Sequence, residues 1–210
     1  MKSIIAVLLL VSISFSQEAY KIPFASEGNT VELTIANTSS TTATRVTTEA
    51  TGTPSWLKFS QRIVAIDQVK PKEEKAVTFT FSLDKLAPVN QQQSLSFVIK
   101  SATGESWTKE IKVTVAPPEK FELFQNYPNP FNPTTTICYQ LTNDSKVNLK
   151  VYNLLGQEVT TLVDGEKLAG YHQEVLNASQ FASGMYIYRI IYTNRAGKRA
   201  SDKKTMVVVK

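Results

Sequence analysis

F-E-L-F-Q-N-Y-P-N-P-F-N-P, residues 121–133, is the stretch that rules out a helix and divides the chain. Pro128, Pro130 and Pro133 each lack a backbone N–H and have a fixed φ, so none fits a helix interior. The residues before them, Tyr127, Asn129 and Asn132, are biased to extended or turn conformations. Repeated Asn-Pro behind an apolar run predicts a stiff, ordered loop. Two halves of different composition lie on either side of it.

Downstream, Ile137, Tyr139 and Leu141 share one strand face, with Cys138 pointing outward. Val147, Leu149 and Val151 alternate with Asn148 and Lys150. Asn153-Leu154-Leu155-Gly156 reads as a turn and Asp164-Gly165 as another. Gly170-Tyr171-His172, Met185–Ile190 and Lys203–Lys210 supply further strands. Upstream, Val31/Leu33/Ile35, Val77/Phe79/Phe81, Leu95/Phe97/Ile99 and Ile111/Val113/Val115 repeat the period of two. Ile63 and Ala65, with Ile66 as a further candidate, mark one more strand, and Thr-rich Asn37–Thr53 reads as an exposed strand pair. Trp56 and Trp107 are read as core packing. The expectation is all-β: two consecutive immunoglobulin-like sandwiches of about seven strands each, at 17–116 and 121–210. Pro-stiffened residues 117–120 join them.

The N-terminus has the form of a signal peptide, residues 1–16. Lys2 is its positive end, and Ile4–Phe15 its apolar core. The cut is expected between Ser16 and Gln17. The apolar run falls short of the roughly 20 residues that span a bilayer, so no membrane span is expected after cleavage. The lone Cys138 permits no intrachain disulfide, leaving packing to supply stability.

Formal net charge is +5, with the basic residues thinly spread except for Arg195, Lys198, Arg199, Lys203 and Lys204. Nucleic-acid binders gather denser basic patches with aromatic platforms, so no nucleic-acid partner is expected. The single histidine, His172, reads as a strand residue near a turn. No metal-ligand spacing, nucleophile elbow, phosphate loop or dinucleotide fingerprint occurs, so neither catalysis nor a cofactor is expected. Asp67, Asp84, Asp164 and Glu158 are scattered along the chain. They leave open a small exported carbohydrate-active hydrolase whose carboxylates meet only in space.

The second half carries a resemblance. Phe121-x-Leu123-x-Gln125-Asn126-Tyr127-Pro128-Asn129-Pro130-Phe131-Asn132-Pro133, Val151-Tyr152-Asn153-x-Leu155-Gly156-Gln157-Glu158-Val159, Ala182-Ser183-Gly184-x-Tyr186 and Lys203-Lys204-x-Met206-Val207 stand in order. The segment resembles the type IX secretion C-terminal sorting domain, and is also similar to the immunoglobulin-like domain of hook-capping proteins. The first resemblance implies a non-enzymatic protein exported through the periplasm to the surface of a Gram-negative cell, or beyond it. Its implied partners are an outer-membrane translocon and a sortase-like protease, with surface lipopolysaccharide or polysaccharide as a possible attachment. The residues expected to be read are Gly184, Tyr186, Lys203, Lys204, Val208 and Lys210. A terminal strand with unpaired backbone groups suits capture by strand addition. The N-terminal module is expected to be a spacer or an adhesive domain. A structural piece of a surface assembly is the remaining alternative.

Overall fold

The computed structural model describes residues 7–10 and 19–210, and the described residues form strands and their connections without a helix. Most of the signal-peptide reading, including Ser16 and Gln17, lies outside the described residues. The chain divides into two compact units between Ala116 and Pro117.

The first unit contains β1 (Val7–Leu10), β2 (Tyr20–Ile22), β3 (Asn29–Asn37), β4 (Ala43–Thr51), β5 (Leu57–Phe59), β6 (Ile63–Val69), β7 (Glu74–Leu83), β8 (Gln92–Lys100) and β9 (Ser106–Val115). One sheet runs β1-β3-β7-β5 and the other β2-β9-β8-β4-β6. Alternation turns Leu33, Ile35, Val77, Phe79 and Phe81 of the first sheet, and Leu95, Phe97, Ile99 and Val113 of the second, into one buried cluster. Phe79 and Phe97 meet across it with centroids 5.0 Å apart. Burying each such side chain contributes roughly 1.5–3 kcal/mol.

Two strand readings are corrected in this unit. The Thr-rich stretch is not an exposed pair. Its second part is the single strand β4, hydrogen-bonded on both sides by β6 and β8, with Val46, Thr48 and Ala50 turned inward. Arg45, whose φ is +49°, interrupts the β4–β6 ladder without shifting its register, and the buried side passes from Ala43 to Val46 across it. On β6 the inward residues are Val64 and the expected Ile66, while Ile63 is 49% exposed and Ala65 is exposed too, because the strand takes its phase from β4. Trp56 and Trp107 pack half-buried against the core.

The second unit contains β10 (Glu122–Leu123), β11 (Thr134–Leu141), β12 (Ser145–Tyr152), β13 (Glu158–Lys167), β14 (Gly170–Asn177), β15 (Gly184–Asn194) and β16 (Arg199–Val208). Its sheets run β10-β11-β14 and β13-β12-β15-β16. Ile137, Tyr139 and Leu141 face Val147, Leu149, Tyr188 and Ile190 in a second buried cluster. Asn153–Gly156 is a turn, with Gly156 at φ +79°. Asp164-Gly165 is not one: both residues lie within β13, opposite Asn148 and Val147, and the chain reverses at Leu168-Ala169 instead.

Candidate functional site

The 121–133 stretch is held by a hydrogen-bonded network centred on Asn126, whose exposure is 2%. Its backbone N–H donates to the Tyr188 hydroxyl (2.9 Å), which in turn donates to the Phe124 carbonyl (2.8 Å). The Asn126 side-chain amide donates to the Pro128 carbonyl (3.0 Å) and to Thr135 Oγ1 (2.9 Å). Thr135 Oγ1 itself donates to Pro128 O (2.8 Å). The three Xaa-Pro bonds, at Pro128, Pro130 and Pro133, are cis. A proline-broken segment cannot satisfy its polar groups through a ladder, and this network satisfies them instead. Burial holds the Tyr188 hydroxyl up at about 12, partly offset by the Asn126 N–H.

The same loop grips the end of the chain. β16 pairs with β15 from Thr193/Arg199 to Gly184/Val208. On its other side, Phe131 N–H donates to Val207 O (3.1 Å), and Val209 N–H donates to Phe131 O (3.0 Å). Asn129 Oδ1 accepts from Val207 N–H (2.9 Å), and Gln125 Nε2 donates to Thr205 O (2.7 Å). Phe131, 2% exposed, anchors this clamp in the core. The end of the terminal strand is therefore not an open edge, contrary to expectation. β16 ends its sheet, and its outer side is without a strand partner over Arg199–Lys204.

The six residues expected to be read do not form one surface. Gly184 (φ +151°) opens β15 opposite Val208, in open space that a Cβ would not fill. Tyr186 and Val208 are buried, at 8% and 1%, and Tyr186 donates its hydroxyl to Ala182 O (3.0 Å). Lys203 and Lys204 are consecutive in β16 and so turn to opposite faces. Lys203, exposed, lies opposite Arg189, and Arg189 lies opposite Lys150, so three cations cross the outer face of the sheet in one row. Glu158 pairs with Lys150 at 2.7 Å, and Arg189 sits over the Tyr152 ring at 5.0 Å. Lys204, half-buried, lies opposite Tyr188 on the inner face. Lys210 is exposed beyond the strand. Gln125, Asn129 and Phe131 were not expected to touch the terminal strand. Their only sequence signal is that polar and aromatic residues alternate with the prolines.

His172 stacks on Tyr139 (5.0 Å, 22°), and its Nε2 is 2.8 Å from Leu168 O. Burial pulls its pKa below the usual value; the Leu168 contact opposes this, Lys167 adds to it and Glu174 opposes it. Among the described residues no group of three His, Cys, Asp or Glu could hold a metal ion. No helix among them is long and apolar enough to cross a membrane, which says nothing of β-barrels.

Residues 125–207 match the family described as the secretion system C-terminal sorting domain. No curated protein matches the chain. Among solved structures, the chain is similar to the CupB2 chaperone of Pseudomonas aeruginosa, at 12% identity and TM-score 0.30, covering 89% of this chain and 96% of that one. It is also similar to dimeric latent PorU from Porphyromonas gingivalis, at 12% identity and TM-score 0.36, covering 97% of this chain and 20% of that one. A protein of unknown function from Porphyromonas gingivalis W83 matches at 12% identity and TM-score 0.34, over 90% and 94% of the two chains.

Proposed function

With residues 125–207 belonging to the type IX secretion C-terminal sorting domain family, we propose that the chain is a non-enzymatic cargo whose second unit is read at the outer edge of β16. A protein carrying this domain is exported to the cell surface or beyond it, and its sorting domain engages the secretion machinery. In our reading, residues 1–16 are the cleaved leader, and the unit ending at Ala116 is the delivered part, a spacer or an adhesive module.

The observation that supports this reading is how β16 is held. Gln125, Asn129 and Phe131 occupy the outer side of residues 205–209 and leave Arg199–Lys204 without a strand partner on that side, where the Lys203 N–H donates to the Asp202 carboxylate (2.7 Å). An unpaired edge accepts an added strand. Lys203, level with Arg189 and Lys150, gives that edge a positive outer face that would orient an acidic partner. Tyr186 and Val208 pack the hairpin from within, and Gly184 is exposed at its open end.

The test is charge reversal at Lys203, Lys203→Glu, in the secreting cell. The Lys203 side chain is exposed on the outer face and lies outside the buried cluster, so the unit stays folded. The expected result is accumulation in the periplasm with an unchanged near-ultraviolet circular dichroism spectrum. Surface and medium levels equal to wild type, with the fold intact, would overturn the reading.

A further inference from the structure

The first unit has its own acceptor edge, and the pairing of β1 shows what it takes. Val7, Leu8, Leu9 and Leu10 pair antiparallel with Asn37, Ala36, Ile35 and Thr34 of β3. No other strand borders that side of β3 among the described residues, and β7 covers the opposite side. The remainder of β3, from Asn29 to Leu33, lies beyond the last pair of β1. There the edge runs along a cleft of about 270 Å³ between β2 and β3. Ile22, Val31, Phe81, Leu95, Ile111 and Val113 line this cleft, all but Val31 buried, so the apolar core is reached from the edge itself.

We propose that, in the exported protein, β3 and this cleft receive an extended, uncharged strand from another polypeptide, apolar at alternate positions and antiparallel to β3. This rests on the reading of residues 1–16 as a removed leader. Cleavage after Ser16 takes β1 away and opens β3 along its whole length, Asn29–Asn37. Three features specify the occupant. The strand seated at one end of the edge is V-L-L-L, with no charge and no polar side chain. Its antiparallel register, continued in the same direction, leads from Thr34 to Val31 and into the cleft. Along an extended strand every second side chain faces inward, and the floor of the cleft there is the buried apolar set Ile22, Phe81, Leu95, Ile111 and Val113, with Lys21 and Glu32 also in its lining. Backbone hydrogen bonds to β3 would supply register, and the cleft would select for apolar side chains.

The experiment uses protein purified from the medium or the cell surface, its termini fixed by intact mass. The probe is a synthetic peptide carrying residues 5–11 between flanking lysines. A second peptide has the same side chains but is N-methylated at alternate backbone positions, which removes N–H donors while leaving the apolar surface. The expected result is binding of the first peptide with slowed amide exchange across Asn29–Asn37, and at least tenfold weaker binding of the second. Equal binding of both peptides would reduce the effect to apolar adhesion and overturn the proposal. So would no binding by protein that begins at Gln17. Concentration-dependent dimers with β3 already protected would overturn it in favour of a second copy as occupant. Exported protein that still carries residues 1–16 would show that the leader reading itself fails, with the edge filled by its own chain.

Discussion

Tyr188 sits at 0% exposure, and its hydroxyl closes two obligations at once: it accepts from Asn126 N–H and donates to Phe124 O. Tyr188→Phe keeps the ring and its packing but strands the Asn126 N–H in the interior and takes a donor from the Phe124 carbonyl. Leaving a buried group unsatisfied costs about 1–3 kcal/mol. For a unit of this size each kcal/mol lowers Tm by roughly 4–8 °C, so a calorimetric scan should show the second unit melting well below wild type. His172 makes a second residue-level case. Its folded pKa lies below the ordinary value because burial disfavours the imidazolium. The unfolded chain therefore binds the proton more readily, and stability falls as pH drops below about 6.5. The loss levels off once pH is below the folded pKa. Urea midpoints of the second unit at pH 7.5 and 5.5 should differ more for the wild type than for His172→Gln. An equal pH dependence in the two proteins would assign the acid sensitivity to other groups.

At the scale of elements, β16 is both a core strand and an edge. Met206 and Val208 are buried in the cluster with Tyr188 and Phe131, while Arg199–Lys204 has an unpaired outer side. Truncating the chain before Lys203 therefore removes core and clamp together, and the second unit should lose its cooperative melting transition. Such a truncation tests folding, whereas charge reversal at the exposed Lys203 tests recognition. Most strands were legible in the sequence because period-two alternation is written locally, as in Ile137/Tyr139/Leu141 and Val77/Phe79/Phe81. The failures have local causes too. Asp164-Gly165 is a favoured turn pair that β12 holds extended as part of β13. The Thr-rich segment displays β propensity, but propensity does not say whether a strand lies at the edge or the middle of a sheet. The clamp was illegible for a different reason. Gln125 meets Thr205 across 80 positions of sequence, and Asn129 meets Val207 across 78, so only the closed sandwich creates the contact.

At the scale of the molecule, the two units are separate compact bodies whose cores draw on no common residue. Their boundary is held on each side by a hydrogen bond to the backbone, from a main-chain N–H in the first unit and from the Gln140 side chain in the second. Ala116 N–H donates to Ile22 O within the first unit (2.8 Å), and Lys120 O accepts from Gln140 within the second (3.1 Å). Cleavage between those anchors would cut no strand and open neither core, so either unit could persist without the other. If the second unit is a disposable address, protein recovered from the surface and medium should have the intact mass of a chain beginning at Gln17 and ending between Ala116 and Lys120. That product should keep the near-ultraviolet circular dichroism of Trp56 and Trp107, which pack against the first core. A mass corresponding to residues 17–210 would mean that the sorting domain stays attached after export. The second sandwich would then be a permanent part of the delivered molecule, and a structural role in a surface assembly would take precedence over a spacer or adhesin released from its signal.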